Sequence, residues 1–217
     1  MRNTQGSSQT SSSANSNQDL HGNAPDKCGV ALLLIDVIND LNFDGSEKLL
    51  ELARPMADRL VRLKRRATNA GVPSIYVNDN FGRWRSNFKA QIEHCLHDDV
   101  PGKEIVRLLQ PDDDDYFVLK PKHSAFFSTS LEILLDHLGA HTLIITGIAT
   151  NICVLFTAND AYMRDYSVVI PNDCVAANTR EENDYALEQM RSLLKADVRP
   201  STELQFSDDN LSCLSAR

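Results

Sequence analysis

The stretch from Thr142 to Ala161 constrains the fold most, because it changes from a strand pattern to a helix pattern within a few residues. The run Leu143–Ile145 is short, apolar and rich in β-branched residues, as in a strand buried on both faces of a parallel sheet. Gly147 ends that pattern, and from Cys153 onward the spacing of three and four residues indicates a helix. The sequence therefore places Cys153 in the first turn of a helix, just past the carboxyl end of a strand.

Similar apolar runs alternate with helical patterns along the rest of the chain. Further strands are predicted at Val30–Asp36, Pro73–Asp79, Tyr116–Lys120 and Ser167–Ile170, with a possible last edge strand at Ala196–Thr202. Helices are predicted at Ser46–Ala70, Leu131–Leu138 and Arg180–Lys195, with a mixed helical region at Ser86–Leu109. Regular alternation of strand and helix predicts a parallel sheet covered on both faces.

Composition limits the compartment and the partners. The net charge of −8 and the pI near 5.2 argue against nucleic acid or an anionic membrane as a partner. An odd number of cysteines, with no signal-peptide pattern and no long apolar span, favours reduced thiols in the cytoplasm. Residues 1–26 are polar and expected to be disordered, residues 27–206 form one ordered domain, and residues 207–217 form a loose tail.

Two charged runs have a simple interpretation. The basic run Arg62, Lys64, Arg65 and Arg66 is expected on a solvated helix face, and the acidic run Asp112–Asp115 in a turn. Neither run is assigned a binding role.

Three ionisable residues follow different strands of the predicted sheet. Asp36 ends the first strand, Lys120 ends the third, and Cys153 follows the fourth. Because the carboxyl ends of parallel strands meet at one edge, where ligands bind in open α/β sheets, these residues are expected to share a pocket. Each also has a structural alternative: a helix cap for Asp36, plain surface for Lys120, and a small buried hydrophobe for Cys153. Cys28, Cys95, Cys174 and Cys213 are interpreted as structural.

Three motifs resemble the isochorismatase-like cysteine hydrolase superfamily. They are Leu-Leu-Ile-Asp36-Val-Ile-Asn-Asp, Leu-Lys120-Pro-Lys-His-Ser-Ala-Phe126, and Thr-Gly147-Ile-Ala-Thr-Asn-Ile-Cys153-Val, in that order. The resemblance implies a three-layer α/β/α sandwich with a six-stranded parallel sheet and an Asp36–Lys120–Cys153 triad. It also implies a cis peptide at Ile148–Ala149, which would turn the amides of Ala149 and Cys153 inward as an oxyanion hole.

The residue types suggest a chemistry for this triad. A helix N-terminus and Lys120 should favour the thiolate of Cys153, which can attack a carbonyl carbon. Asp36 can carry protons, and Lys120 can hold Asp36 and stabilise negative charge. The expected function is hydrolysis of an amide or ureido C–N bond of a small molecule through a thioacyl-enzyme, without a cofactor. Alternatives are isochorismatase-type hydrolysis without covalent catalysis, a catalytically silent binding protein of the same fold, a flavodoxin-like redox protein, and a Cys153–His123 dyad.

The pocket and the metal content are also predicted. The residues expected to line the pocket are Phe43, Asn80, Trp84, Arg85, Phe126 and Phe127. An arginine there would favour a carboxylate-bearing amide, and the loop around Trp84 would serve as a lid or a subunit contact.

Nicotinamidases of this superfamily carry an Asp and histidines as a metal site after the second strand, whereas residues 78–82 here contain no histidine. His94 and His97 are three residues apart but lack a clear third ligand, so no metal is expected. The resemblance also implies a homo-oligomer.

Overall fold

The computed structural model describes residues 28–80 and 87–206 of the chain. The strands are β1 (Val30–Ile35), β2 (Ser74–Asp79), β3 (Tyr116–Lys120), β4 (Thr142–Ile148), β5 (Ser167–Val169) and β6 (Val175–Ala176). The α-helices are α1 (Ser46–Asn69), α2 (Phe88–His97), α3 (Lys103–Leu108), α4 (Leu131–Leu138), α5 (Leu155–Tyr162) and α6 (Arg180–Leu193). A π turn at Thr150–Val154 leads into α5, and a short 3₁₀ turn lies at Ser201–Glu203. Within these ranges no helix has the length and apolarity needed to cross a membrane.

The six strands form one parallel sheet in the order β3-β2-β1-β4-β5, with β6 paired to the end of β4. The chain proceeds outward from β1 to β3 and then returns to place β4 on the other side of β1. The direction of strand order therefore reverses between β1 and β4, which is where open α/β sheets bind their ligands. The predicted six-stranded parallel sheet is confirmed.

Helices cover both faces of the sheet, because strand side chains alternate between two separate cores. Val30, Leu32 and Leu34 of β1 pack into the core shared with α1, α2 and α3. The alternate residues of β1 pack into the core shared with α4, α5 and α6. All six residues of β1 are buried, so the central strand is continuously apolar until the chain reaches Asp36.

Gly147 allows β4 to lie close to β1 beside the candidate site. Its φ is +106°, and a Cβ atom added there would lie 2.1 Å from the carbonyl oxygen of Ile35. Any larger residue would push β1 and β4 apart directly below Asp36. The strand pattern was expected to end at this glycine, but β4 continues one residue further, to Ile148.

The predicted last edge strand at Ala196–Thr202 is wrong. Only Asp197 in this stretch forms a bridge, to Val169, and the chain then enters the 3₁₀ turn. Pro200 has no N–H group to donate to a sheet ladder, which limits strand pairing here. The sixth strand is instead the two-residue β6, which was not predicted.

The interpretation of Lys64 as a solvated residue is also wrong. Lys64 is buried on α1, and its Nζ lies 2.6 Å from Asp112 and 2.7 Å from Asp115. The same ammonium lies 5.9 Å from the centre of the Tyr76 ring. The acidic turn therefore closes over a buried cation and ties α1 to the segment before β3.

Candidate active site

Asp36 lies immediately after β1, where the backbone turns sharply. Its φ is +51°, a left-handed conformation that Asp adopts more readily than most residues. The backbone N–H of Asp36 donates to the carbonyl of Val77 at 2.9 Å, and its Oδ1 accepts from the N–H of Asp79 at 2.7 Å. The end of β2 therefore fixes the carboxylate on the carboxyl edge of the sheet.

Lys120 reaches Asp36 from the end of β3, two strands away. Strands lie about 4.8 Å apart, so only a long side chain can cross β2 to the central strand. The Lys120 side chain is completely buried, and its Nζ lies 2.8 Å from Oδ2 of Asp36. The same nitrogen lies 3.5 Å from Sγ of Cys153 and 3.7 Å from Oδ2 of Asp79. The structure thus brings together the three residues that the sequence placed at one sheet edge.

Cys153 lies in the π turn between β4 and α5, rather than in the first turn of a regular α-helix. The peptide bond between Ile148 and Ala149 is cis. The carbonyl of Ala149 accepts from the N–H groups of Ile152 and Val154, at 3.1 and 3.2 Å. Thr150 is buried and donates from its hydroxyl to Oδ1 of Asn183 at 2.6 Å, which anchors the turn to α6. The sulfur of Cys153 therefore sits on a turn that is anchored to α6, and the residue is only partly buried.

The environment of Cys153 favours the thiol, which corrects the expectation of a thiolate. Burial and then the negative charge of Asp36 raise the pKa of Cys153 to about 12, although Lys120 acts in the opposite direction. Burial also raises the pKa of Asp36 above its ordinary value, against the effect of Lys120. Burial alone would lower the pKa of Lys120, but Asp36 and its other anionic neighbours raise it. The sulfur is therefore a neutral sulfhydryl beside the paired Asp36 and Lys120 side chains.

The loop after β3 is attached to α5, on the open side of the sulfur. Ser124 donates a short hydrogen bond to Asp160, and the N–H of Ala125 donates to Oγ1 of Thr157 at 3.1 Å. This loop places Nδ1 of His123 at 3.9 Å from Sγ of Cys153. His123 was weighed from the sequence as a partner of Cys153, and its ring is indeed a neighbour of the sulfur.

Asp79 was not predicted as part of the site, although it ends β2 at the same edge. It pairs with Lys120 in the β2–β3 register and approaches the ammonium as described above. The signal was present in the sequence, since Asp79 follows its strand as Asp36 follows β1. The lack of histidines in residues 78–82 argues only against a metal site and leaves Asp79 without an assigned role.

The predicted pocket residues lie in several different environments. Asn80 is buried directly after β2 and donates its N–H to the carbonyl of Lys120 at 3.0 Å. Phe43, before α1, and Phe127, after β3, are about half exposed. Phe126 is a core residue, because it is buried against Tyr166 with Arg164 over its ring, so its prediction as pocket lining is wrong.

The other residues named from the sequence are buried cysteines or lie outside the described ranges. Trp84, Arg85 and Cys213 are outside those ranges. Cys28, Cys95 and Cys174 are buried, as expected for structural thiols.

His94 contacts a carboxylate through each of its two ring nitrogens. Its Nδ1 lies 2.6 Å from Asp98 and its Nε2 lies 3.3 Å from Asp40, both on the surface. Among residues 28–80 and 87–206 no cluster of three His, Cys, Asp or Glu side chains is arranged to hold a metal ion.

Comparison with known proteins agrees with this geometry. The family model described as the isochorismatase domain matches residues 30–202. The chain belongs to the isochorismatase family. It is therefore a hydrolase of the isochorismatase family, and the match spans every strand of the sheet.

Several relatives support this membership. An uncharacterized isochorismatase family protein, YaaI of Bacillus subtilis, is 44% identical over 180 residues, which cover 83% of this chain and 97% of that protein. A probable inactive nicotinamidase of Arabidopsis thaliana is 30% identical and covers 75% of this chain and 88% of its own length. A ureidoacrylate amidohydrolase of Pantoea ananatis is 43% identical over 70 residues, which cover 32% of this chain and 28% of that enzyme.

A solved structure shows the same architecture. The isochorismatase family protein from Desulfovibrio vulgaris superposes with a TM-score of 0.67 at 28% identity. The superposition covers 86% of this chain and all of that structure.

Proposed function

We propose that this isochorismatase-family protein hydrolyses a C–N bond of a small amide or carbamoyl compound through a thioacyl intermediate on Cys153. One observation carries the proposal: the buried ammonium of Lys120 lies within 2.8 Å of Asp36 and 3.5 Å of the sulfur. The ammonium of Lys120 thus contacts both a carboxylate that can take a proton and a sulfur that can attack carbon. This is the arrangement of an activated nucleophile with an adjacent base.

In the first half-reaction the sulfur of Cys153 forms a bond to the carbonyl carbon while its proton moves to Asp36. Because the pKa of the thiol is about 12, proton transfer accompanies attack rather than preceding it. The carbonyl π electrons move onto oxygen, where the amides of Ala149 and Cys153 can donate hydrogen bonds. Such donors are typically worth a factor of about 10²–10³ in rate. Asp36 then gives its proton to the nitrogen, the C–N bond breaks, and the amine leaves.

In the second half-reaction water attacks the thioester. Asp36 accepts a proton from the water, the C–S bond breaks, and the proton returns to the sulfur as the acid departs. The carboxylate thus ends the cycle ionised, and no group outside the chain is required for proton balance. Lys120 keeps the carboxylate in place throughout, and its charge offsets the negative charge that appears on the sulfur.

The substrate class and the setting are part of the same proposal. The partial likeness to a ureidoacrylate amidohydrolase supports a carbamoyl or ureido substrate alongside simple amides. We also propose a cytoplasmic homo-oligomer. The exposed Met163 side chain at the end of α5 and the odd number of cysteines support this setting.

The proposal is tested by measuring ammonia release from a panel of small amides, ureas and carbamoyl compounds. Wild type should release ammonia from at least one of them, and Cys153→Ala, Asp36→Ala and Lys120→Ala should each lose turnover. Hydrolysis that survives in Cys153→Ala would instead support isochorismatase-type chemistry without a covalent step. Release by neither protein across the whole panel would favour a silent binding protein.

A further inference from the structure

A small set of exposed side chains surrounds the open side of the Cys153 sulfur. His123 is exposed and its ring lies 5.6 Å from that of Phe156, tilted by 44°. Phe156 is 52% exposed and Ile152 is 36% exposed. Ile152 and Phe156 are four residues apart, so they lie on the same face of the helical segment that carries the sulfur. These three residues are called the rim below.

The position of the rim relative to the triad decides what it can contact. Asp36 and Lys120 are buried and occupy the inner side of the sulfur, whereas His123 approaches from the exposed side at 3.9 Å. Among the described residues, the rim therefore flanks the exposed side of the sulfur.

The tetrahedral intermediate has three substituents besides sulfur, and two of them have assigned positions. In the proposed mechanism the oxygen faces the amides of Ala149 and Cys153, and the nitrogen faces Asp36 to receive its proton. The acyl group is left with the remaining direction, which is the exposed side. The rim is therefore where the part of the substrate that stays on the enzyme must lie.

We propose that the rim is the acyl-group subsite and that His123 is a specificity-determining residue for flat, conjugated acyl groups. This inference rests on the proposed function. The rings of His123 and Phe156 offer two aromatic surfaces and Ile152 an apolar one. Aromatic contacts of this kind add about 0.5–1.5 kcal/mol beyond area burial, or roughly threefold to tenfold in affinity. Nδ1 of His123 lies 3.9 Å from the sulfur, so Nε2 is on the far side of the ring, where it can meet a polar atom on the acyl group.

The test uses alkylation of Cys153, because alkylation does not require turnover. Second-order rate constants are measured for iodoacetamide and for its N-phenyl derivative, with peptide mass spectrometry assigning the modified cysteine. The ratio of the two rates, normalised to N-acetylcysteine, should fall threefold to tenfold in His123→Ala. His123→Phe should retain the preference for the phenyl reagent, and Lys122→Ala serves as the control for an exposed neighbour. An unchanged ratio in His123→Ala, or an equal fall in Lys122→Ala, overturns the proposal.

A second readout separates specificity from proton transfer. For any amides that wild type hydrolyses, His123→Ala should raise KM for conjugated amides more than for aliphatic amides, with kcat changing less than KM. A fall in kcat of a hundredfold or more on both classes would make His123 a proton carrier and refute the assignment. If no amide is hydrolysed but the alkylation ratio changes as expected, the proposed function fails while the rim assignment stands.

Discussion

Replacing Asp36 with Asn should make Cys153 easier to alkylate while abolishing hydrolysis. In the wild type, burial and then the charge of Asp36 raise the pKa of Cys153 to about 12, and Lys120 opposes them. At pH 8 a thiol with that pKa is ionised in about one molecule in ten thousand. Asn removes the negative charge but keeps the shape, including an oxygen that can accept from the N–H of Asp79. Lys120 then acts on the sulfur without the opposing charge of Asp36.

The expected change in the pKa of Cys153 follows from the distances. A neighbouring charge typically shifts a pKa by one to three units, and Lys120 remains 3.5 Å from the sulfur. The thiolate fraction, and with it the alkylation rate at pH 8, should rise at least about tenfold in Asp36→Asn. Hydrolysis should fall by about 10²–10⁴, because the proton acceptor has been removed. The rate of alkylation and the rate of hydrolysis therefore change in opposite directions.

The assay is the rate of iodoacetamide labelling at Cys153 between pH 7 and pH 10, read by peptide mass spectrometry. In the wild type the rate should rise about tenfold per pH unit without a plateau, since the pKa lies above this range. Asp40→Asn is the matched control, because it removes a carboxylate that interacts with His94 rather than with the sulfur. A wild-type plateau below pH 8, or slower labelling of Asp36→Asn, would refute the neutral-thiol resting state.

Three further results are expected. Lys64→Met should lower the free energy of unfolding in urea by about 3 kcal/mol, because the Asp115 side chain, 8% exposed, loses its buried partner. Adding Asp115→Asn should recover part of this loss. A loss below about 1 kcal/mol would contradict the burial argument. Gly147→Ala should lower Tm strongly in a thermal melt, because its Cβ would lie 2.1 Å from Ile35 at a φ of +106°; an unchanged Tm would count against this packing. For hydrolysis, kcat/KM should fall with decreasing pH through a pKa above the ordinary value for Asp, because burial raises the pKa of Asp36. An acid limb of the pH profile with its midpoint at or below about 3.9 would contradict this expectation.

The central strands and the proximity of Asp36, Lys120 and Cys153 could be predicted because their signals are local. Strand β1 is apolar at every position until Asp36, and the parallel topology then brings Asp36, Lys120 and Cys153 to one edge without any knowledge of side-chain contacts. Strand β6 could not be predicted, because two residues carry no periodicity. Its pairing depends on where β4 ends, which is a tertiary property.

The electrostatic features were harder to predict because they depend on burial. Lys64 carries the same charge as its exposed neighbours on α1, and only the fold reveals that it faces Asp112 and Asp115. The thiolate was expected from the position of Cys153 at the start of a helix. The π turn replaces that helix start, and the desolvation of the sulfur outweighs the effect of Lys120.

The charges around Lys120 account for how a thiol with so high a pKa could act as the proposed nucleophile. A fully buried ammonium is stable only when anions neutralise it, and Asp36 and Asp79 already provide two negative charges for one positive charge. A thiolate formed by losing its proton to water would add a further negative charge, and burial followed by the charge of Asp36 raises the pKa of Cys153 against this. Transfer of that proton to Asp36 instead leaves the total charge of the cluster unchanged, because the sulfur gains the charge that the carboxylate loses. In the proposed reaction, attack on a substrate is therefore coupled to transfer of the thiol proton to Asp36, which then protonates the group that leaves.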